Sequence, residues 1–163
     1  VYLHIIPATL ALLVSTLQFN TNLRQRFLNF HRWNGRIYVV FSLFGAIGGF
    51  GLSFKSYGGL STHLGFGFLA ILWFSSTIMA MYFVKYAKKV DESDQDKELR
   101  IKKHKIWMIR SFAFIMAAPM LRVWLPIFQS NNPLFESYNA VSWFCWVPNI
   151  VVAEIYINYV VTK

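Results

Sequence analysis

The chain has 163 residues, of which 56% are hydrophobic, 18% aromatic and only 14% charged. Several apolar stretches approach the ~20 residues that a helix needs to cross ~30 Å of hydrocarbon. The composition therefore excludes an ordinary soluble domain and indicates an integral membrane protein. The net charge of +9 would suggest nucleic acid in a soluble protein, but here the Lys and Arg residues gather in particular loops, as membrane orientation requires. We expect no nucleic-acid partner.

The pattern of apolar stretches predicts one all-α domain over residues 1–163, a polytopic transmembrane helical bundle with five spans. The spans cover approximately residues 4–19, 36–54, 62–86, 106–128 and 140–161. The first is short, so we expect it to begin before Val1, which leaves room for a sixth helix upstream. The stretch from Lys88 to Lys105 holds five of the seven acidic residues, and its polarity predicts a solvated loop or a helical extension.

The basic residues predict the orientation of the bundle. The loops after the first and third spans, together with the span ends at Arg36 and Lys85 and with Lys163, hold 13 of the 16 Lys and Arg residues, whereas the opposite face has only Lys55. Because positive loops stay on the cytoplasmic side of a membrane, we expect that face to be cytoplasmic, or its matrix or stromal equivalent. The expected location is the inner membrane of a bacterium or of an organelle.

Each of the four histidines stands at the end of a predicted span. His4 and His63 lie near the outer face. His31 and His104 lie near the inner face, so alternate helices supply one pair to each side. At 3.6-residue spacing each histidine heads a stripe of mostly small or hydroxylated residues. The stripes are Ala8, Ala11, Ser15 and Gln18 from His4; Gly35, Tyr38, Ser42, Gly45 and Gly49 from His31; Gly67, Ala70, Phe74 and Thr77 from His63; and Met108, Ser111, Ile115, Ala118 and Arg122 from His104.

Small residues beside a histidine leave space that leucine-filled helices would not have. A flat macrocycle held by two imidazoles from facing helices is one way to fill it, and this predicts bis-histidine haem b. The alternative is a packed polar network without a cofactor, since histidines at the ends of membrane helices are commonly interfacial or hydrogen-bonded. Zinc is disfavoured because two imidazoles do not complete its usual four ligands.

Arg122 is a further candidate for cofactor binding. It lies on the His104 stripe about 27 Å along the helix, near the expected level of the outer histidines. An arginine at that depth needs an anion, for which a haem propionate, a lipid phosphate or a quinone head group would serve. The alternative is that its side chain extends to the outer interface.

Two other charges are predicted to pair inside the membrane. Arg110 points away from the histidine stripe of its helix, at ~240° from His104. Glu154 is the one acidic residue inside a predicted span, and it lies at a similar depth of ~9 Å from the inner end. Because either charge alone is costly in hydrocarbon, we expect an ion pair that docks the fifth span on the fourth.

The motifs HRWNGRIY (His31–Tyr38) and HKIWMIRS (His104–Ser111), with RVWLP (Arg122–Pro126), resemble an uncharacterised family of bacterial predicted membrane proteins. The likeness covers nearly the whole chain. It implies a multi-pass membrane architecture and no particular biochemistry.

The placing of one histidine on each of four consecutive spans also resembles the dihaem b-type cytochromes of the ascorbate-dependent transmembrane ferric reductase type. That resemblance implies an outer haem between His4 and His63 and an inner haem between His31 and His104, with the four imidazoles as iron ligands. A lost upstream helix would bring this chain to the six helices of those proteins.

The sequence thus predicts a membrane b-type cytochrome that carries electrons through up to two haems, with no catalytic residue assigned. Two other functions stay open: a non-catalytic accessory subunit of a larger, respiratory complex, and a membrane protein that binds lipid or quinone. Membrane lipids and other membrane subunits are the expected partners.

Overall fold

Inside hydrocarbon no water is present to bond the backbone, so each apolar segment must satisfy its own N–H and C=O groups, as an α-helix does. The computed structural model describes residues 1–18, 21–85, 93–130 and 132–162, with the backbone alone at 21–23. Within these ranges the regular structure is helical, without a strand. The helices are α1 (Tyr2–Gln18), α2 (Thr21–Arg26), α3 (Leu28–Ser53), α4 (Gly59–Lys85), α5 (Asp94–Ile115), α6 (Ala117–Gln129), α7 (Leu134–Phe144) and α8 (Val147–Tyr156), and a π-helical turn (Ile157–Val161) follows α8.

The predicted all-α transmembrane bundle is confirmed. Four stretches are long and apolar enough to cross a membrane, namely Leu28–Ser53, Gly59–Lys85, Asp94–Gln129 and Leu134–Val161. The helix α1 is apolar but shorter, with 17 residues. The predicted first and third spans agree with α1 and α4, and their last residues, 19 and 86, lie outside the described residues.

Two helices begin well before the predicted spans. α3 begins at Leu28, so the whole motif from His31 to Tyr38 is helical. α5 begins at Asp94, where Ser93 Oγ accepts a hydrogen bond from the Asp96 N–H at 3.1 Å. That cap, with two acidic residues in the first turn, favours a helix start. From Asp94 on, the charged stretch is therefore a helical extension, because hydropathy marks only the part of a helix that lies in hydrocarbon.

The fourth and fifth spans are each interrupted. The fourth span is interrupted at Met116, between α5 and α6, three residues before Pro119. The fifth span is interrupted between α7 and α8, just before Pro148. Proline has no N–H to bond the carbonyl four residues earlier, which weakens the turn before it. At the second interruption Asn149 Nδ2 donates to the Cys145 carbonyl at 2.9 Å.

Glycines bring α1 close to α3. A Cβ at position 48 would lie 2.8 Å from the Leu3 carbonyl oxygen and 2.9 Å from the His4 nitrogen, closer than side-chain carbons approach a backbone. In the rest of the bundle α3 packs on α4, α4 on α5 and α7, α5 on α8, and α6 on α7. The helices α3, α4 and α5 therefore lie side by side, with the hydroxyls of Tyr38, Thr77 and Ser111 between them.

The predicted stripes mostly face the interior. The buried residues of α1 are Ala11, Ser15 and Gln18, all on the His4 stripe. Two stripe residues point outward instead. Phe74 is 37% exposed because it lines an apolar groove between α3 and α4. Arg122 is exposed on α6.

Candidate cofactor-binding site

One end of the bundle, predicted to be the outer end, holds His4 against α3. His4 lies in the first turns of α1, and its Nδ1 is 2.7 Å from the carbonyl oxygen of Gly45. Gly49 makes room for the ring, because a Cβ there would lie 3.0 Å from His4 Nδ1 and Cε1. A larger residue at position 49 would displace the imidazole.

His63 is held about two turns further along α3. Its Nδ1 lies 2.6 Å from the Ser53 carbonyl oxygen and 2.8 Å from Ser56 Oγ. Gly67, one turn below His63 on α4, faces Ser53, since a Cβ at 67 would lie 3.6 Å from Ser53 Oγ. Because the bonding partners of both outer histidines lie in the last turns of α3, the two histidines share one end of the bundle.

The opposite end, predicted to be the inner end, holds the other two histidines. His104 Nδ1 lies 2.8 Å from the Ala80 carbonyl oxygen on α4. His104 is also near enough to His31 for its charge to act on the His31 ring. The backbone at His31 is tied to α1, because Gln18 Nε2 donates to the His31 carbonyl at 3.1 Å. Gly35 leaves space for the Gln18 amide, which lies 3.5 Å from a Cβ at that position.

These contacts determine the tautomer of three histidines. A carbonyl oxygen can only accept a hydrogen bond, so the Nδ1 atoms of His4, His63 and His104 each carry a proton. When such a ring is neutral, its lone pair is on Nε2. A histidine that ligates a metal through Nε2 is oriented in this same way, with its other nitrogen donating to a carbonyl or carboxylate. The donor chemistry therefore fits an axial ligand.

The space beside the small residues of α3, which the sequence predicts to hold a flat macrocycle, holds side chains of the protein. The space beside Gly45 holds the Trp73 ring, whose Cη2 would lie 2.9 Å from a Cβ there, and the space beside Gly49 holds the His4 ring. An apolar groove of about 250 Å³ remains between α3 and α4, lined by Ala46, Ile47, Phe50, Ala70, Ile71 and Phe74. This groove has no polar lining residue, so it suits hydrocarbon.

Arg122 is not brought to the histidines by any described contact. Its Nη1 donates to the Ala118 carbonyl of its own helix at 2.8 Å, and the side chain is exposed. Its predicted role toward an anion stays a prediction. Among the described residues no group of three or more His, Cys, Asp and Glu side chains could hold a metal ion, whereas haem iron takes only two axial ligands from the protein.

A buried polar cluster at the centre of the bundle was missed by the sequence reading. Tyr38, Thr77 and Ser111 come from α3, α4 and α5, and their hydroxyls are hydrogen-bonded at 2.7 and 2.8 Å. All three residues had been placed on histidine stripes. The sequence therefore shows hydroxyl-bearing residues on three stripes. Which of these hydroxyls form hydrogen bonds with one another depends on the relative positions of the helices, which one sequence does not show.

Comparison with known proteins gives one match. The model of a family described as predicted membrane protein (DUF2306) matches residues 1–157. No curated protein and no solved structure matches the chain.

Proposed function

The chain belongs to the family described as predicted membrane protein (DUF2306), and we propose that it binds haem b through paired histidines and carries electrons in the membrane. His4 and His63 would hold one haem at the outer end of the bundle. His31 and His104 would hold a second at the inner end.

The observation that carries this proposal is the shared orientation of three imidazoles. On three different helices, the Nδ1 atoms of His4, His63 and His104 lie 2.6 to 2.8 Å from a backbone carbonyl oxygen. None of the hydrogen bonds found among the described residues uses the Nε2 atom of these three rings, so Nε2 is left to act as a ligand. Three rings with the same tautomer support a common role as ligands.

The carbonyls of Gly45, Ser53 and Ala80 are the positioning groups of the proposed sites. Each accepts a hydrogen bond from Nδ1–H and thereby fixes the ring orientation and raises the basicity of Nε2. Bound haem would supply a one-electron ferric/ferrous couple. The protein supplies ligands, a low-dielectric surrounding and the separation between the two ends of the bundle.

The two sites lie far apart along the membrane normal. His63 and Ala80, which mark the outer and inner sites on α4, are separated by about 26 Å of helix at 1.5 Å per residue. Electrons crossing the bundle would have to pass between the two proposed haems over much of this distance. We propose that the basic, inner end faces the cytoplasm of a bacterium or the equivalent side of an organelle membrane, following the distribution of Lys and Arg.

The proposal is tested by haem content in variants of one histidine from each site. Purified His63→Ala and His104→Ala proteins should each lose one haem per chain relative to the unmodified protein. Ser75→Ala is the matched control on α4, since Ser75 is exposed and bonds only its own helix at the Ile71 carbonyl. Unchanged haem content in both histidine variants would end the cytochrome proposal and leave the accessory-subunit or lipid-binding alternatives.

A further inference from the structure

The first turns of α3 carry exposed basic side chains. Residues 24–36 contain four arginines and no acidic residue, and the first acidic residue of the whole chain is Asp91. On α3 itself Arg32 and Arg36 are both exposed and lie one turn apart. Among the described residues no carboxylate forms an ion pair with either of them. Because like charges four residues apart on a helix repel each other, an anion bound beside both would stabilise this end of α3.

Trp33 indicates the depth of these arginines in the membrane. The residue is 64% exposed and precedes the apolar part of α3, and tryptophans are enriched at the level of the lipid headgroups. The Arg36 guanidinium lies 4.9 Å from the centre of the Trp33 ring. Arg36 is thus held at headgroup level. Its planar fork of N–H donors matches the oxygens of a phosphate group.

An apolar strip leads from the arginines along α3 to the groove between α3 and α4. Val40 is 50% and Ile47 53% exposed, and the half-buried Leu43 lies between them. At ~100° per residue, Ile47 lies within about 20° of Arg36 around the helix. It is ~16.5 Å further along, close to the ~15 Å of hydrocarbon in one leaflet. Since Ile47 also lines the groove, an acyl chain whose headgroup lies at Arg36 would end there.

We propose that Arg32, Arg36 and the groove between α3 and α4 bind one phospholipid with an anionic headgroup. The two guanidinium groups bind its phosphate, and one acyl chain runs past Val40 to Ile47. A zwitterionic lipid fits the same strip but offers the arginines no net negative charge. The lipid belongs to the leaflet on the side where α3 begins. The site goes beyond the proposed function, because none of its residues is a proposed haem ligand.

The test measures lipid binding to the purified protein by native mass spectrometry. Phosphatidylglycerol is the anionic probe, and phosphatidylcholine with the same acyl chains is the zwitterionic one. We expect the unmodified protein to bind phosphatidylglycerol about 30-fold more tightly, since each of the two arginines contributes about fivefold. Equal binding of the two lipids would overturn the proposal.

Two double variants test whether the arginines cause this preference. Arg32→Gln combined with Arg36→Gln should remove it. The matched control combines Lys55→Gln with Lys97→Gln, which removes the same charge from two exposed residues outside the site, and it should keep the preference. A preference that survives in the arginine variant, or that falls equally in the control, would overturn the proposal. Inorganic phosphate at the same concentration should not displace the lipid, because it has no chain to bind the groove, and displacement would also contradict the site.

A second measurement needs no variant. A phosphatidylglycerol with a photoreactive group at the end of one acyl chain is added to the unmodified protein, and the labelled peptides are identified. We expect label near Ile47 or near Phe74, which line the groove from α3 and α4, and excess unlabelled phosphatidylglycerol should abolish it. Label confined to other peptides, or label that excess lipid does not reduce, would contradict the proposal.

Discussion

Arg110 and Glu154 form a bidentate ion pair between α5 and α8. Arg110 Nε lies 2.6 Å from Glu154 Oε1, and Nη2 lies 3.0 Å from Oε2. The guanidinium also stacks 4.6 Å from the centre of the Trp107 ring. The pair confirms the interaction predicted from the depth of the two charges, and it is partly exposed, with 27% of the arginine and 39% of the glutamate side chain accessible.

We expect this pair to dock α8 on α5. Removing one partner leaves the other charge in or near hydrocarbon, so Arg110→Ala and Glu154→Ala should each destabilise the protein. A double-mutant cycle, with unfolding followed by denaturant titration in mixed micelles, should give a coupling energy of about 1 to 3 kcal/mol. Additive losses in the cycle would show that the two side chains do not stabilise each other.

The close approach of α1 to α3 gives a second prediction. Gly48→Ala should destabilise the bundle by about 1 to 3 kcal/mol, because the added methyl meets the backbone of Leu3 and His4 and forces the helices apart. Gly51→Ala is the matched control on the same helix, with no atom within 4 Å of the added Cβ. The two proteins can be compared in the same denaturant titration. Equal stabilities would contradict the assigned packing of α1.

Glycine 49 connects packing with the proposed function. A methyl group at position 49 would lie 3.0 Å from His4 Nδ1 and Cε1, so Gly49→Ala should turn the ring away from the Gly45 carbonyl. We expect this variant to lose the outer haem while the inner one stays. The measurement is haem content per chain, with Gly51→Ala again as the control. A Gly49→Ala protein with full haem content would remove His4 from the proposed ligand set.

The proposed orientation predicts where a protease can reach the chain. Trypsin should cleave between Lys88 and Lys103 only when the cytoplasmic face of a sealed vesicle is turned outward. Lys97, within this stretch, is exposed at the start of α5. Detergent-treated vesicles of either orientation provide the control for access. Cleavage from the external face of intact vesicles would reverse the orientation.

Much of the architecture could be read from the sequence because hydrocarbon leaves the chain few choices. Helix formation and the inward stripes follow from hydropathy and 3.6-residue spacing. The pairing of Arg110 with Glu154 followed from their depth and from the helix face on which Arg110 lies, because a lone charge in the membrane is so costly.

Other features depend on geometry that spacing does not contain. The start of α3 at Leu28 was missed because a helix can continue past the apolar segment into water. The breaks at Met116 and before Pro148 were missed because proline in a membrane helix is often accommodated without one. The exposure of Arg122 is also absent from the spacing, which places this residue on the same stripe as the partly buried His104.

The candidate site was predicted in part. The sequence placed the four histidines at two ends, and the described contacts agree with that placing for His4, His63 and His104. It gave no sign of the carbonyls that orient the rings. Those acceptors belong to Gly45, Ser53 and Ala80, and any residue would supply the same backbone oxygen, so their role depends on helix packing and not on side-chain identity.

The most direct test of the account is the absorption spectrum of the purified, unmodified protein, expressed with haem supplied. We predict sharp reduced-minus-oxidised bands of a low-spin, bis-histidine b-type haem, and a pyridine haemochrome assay that approaches two haems per chain. A protein that is folded in detergent and purified in quantity but has neither the bands nor the haem would contradict the central claim.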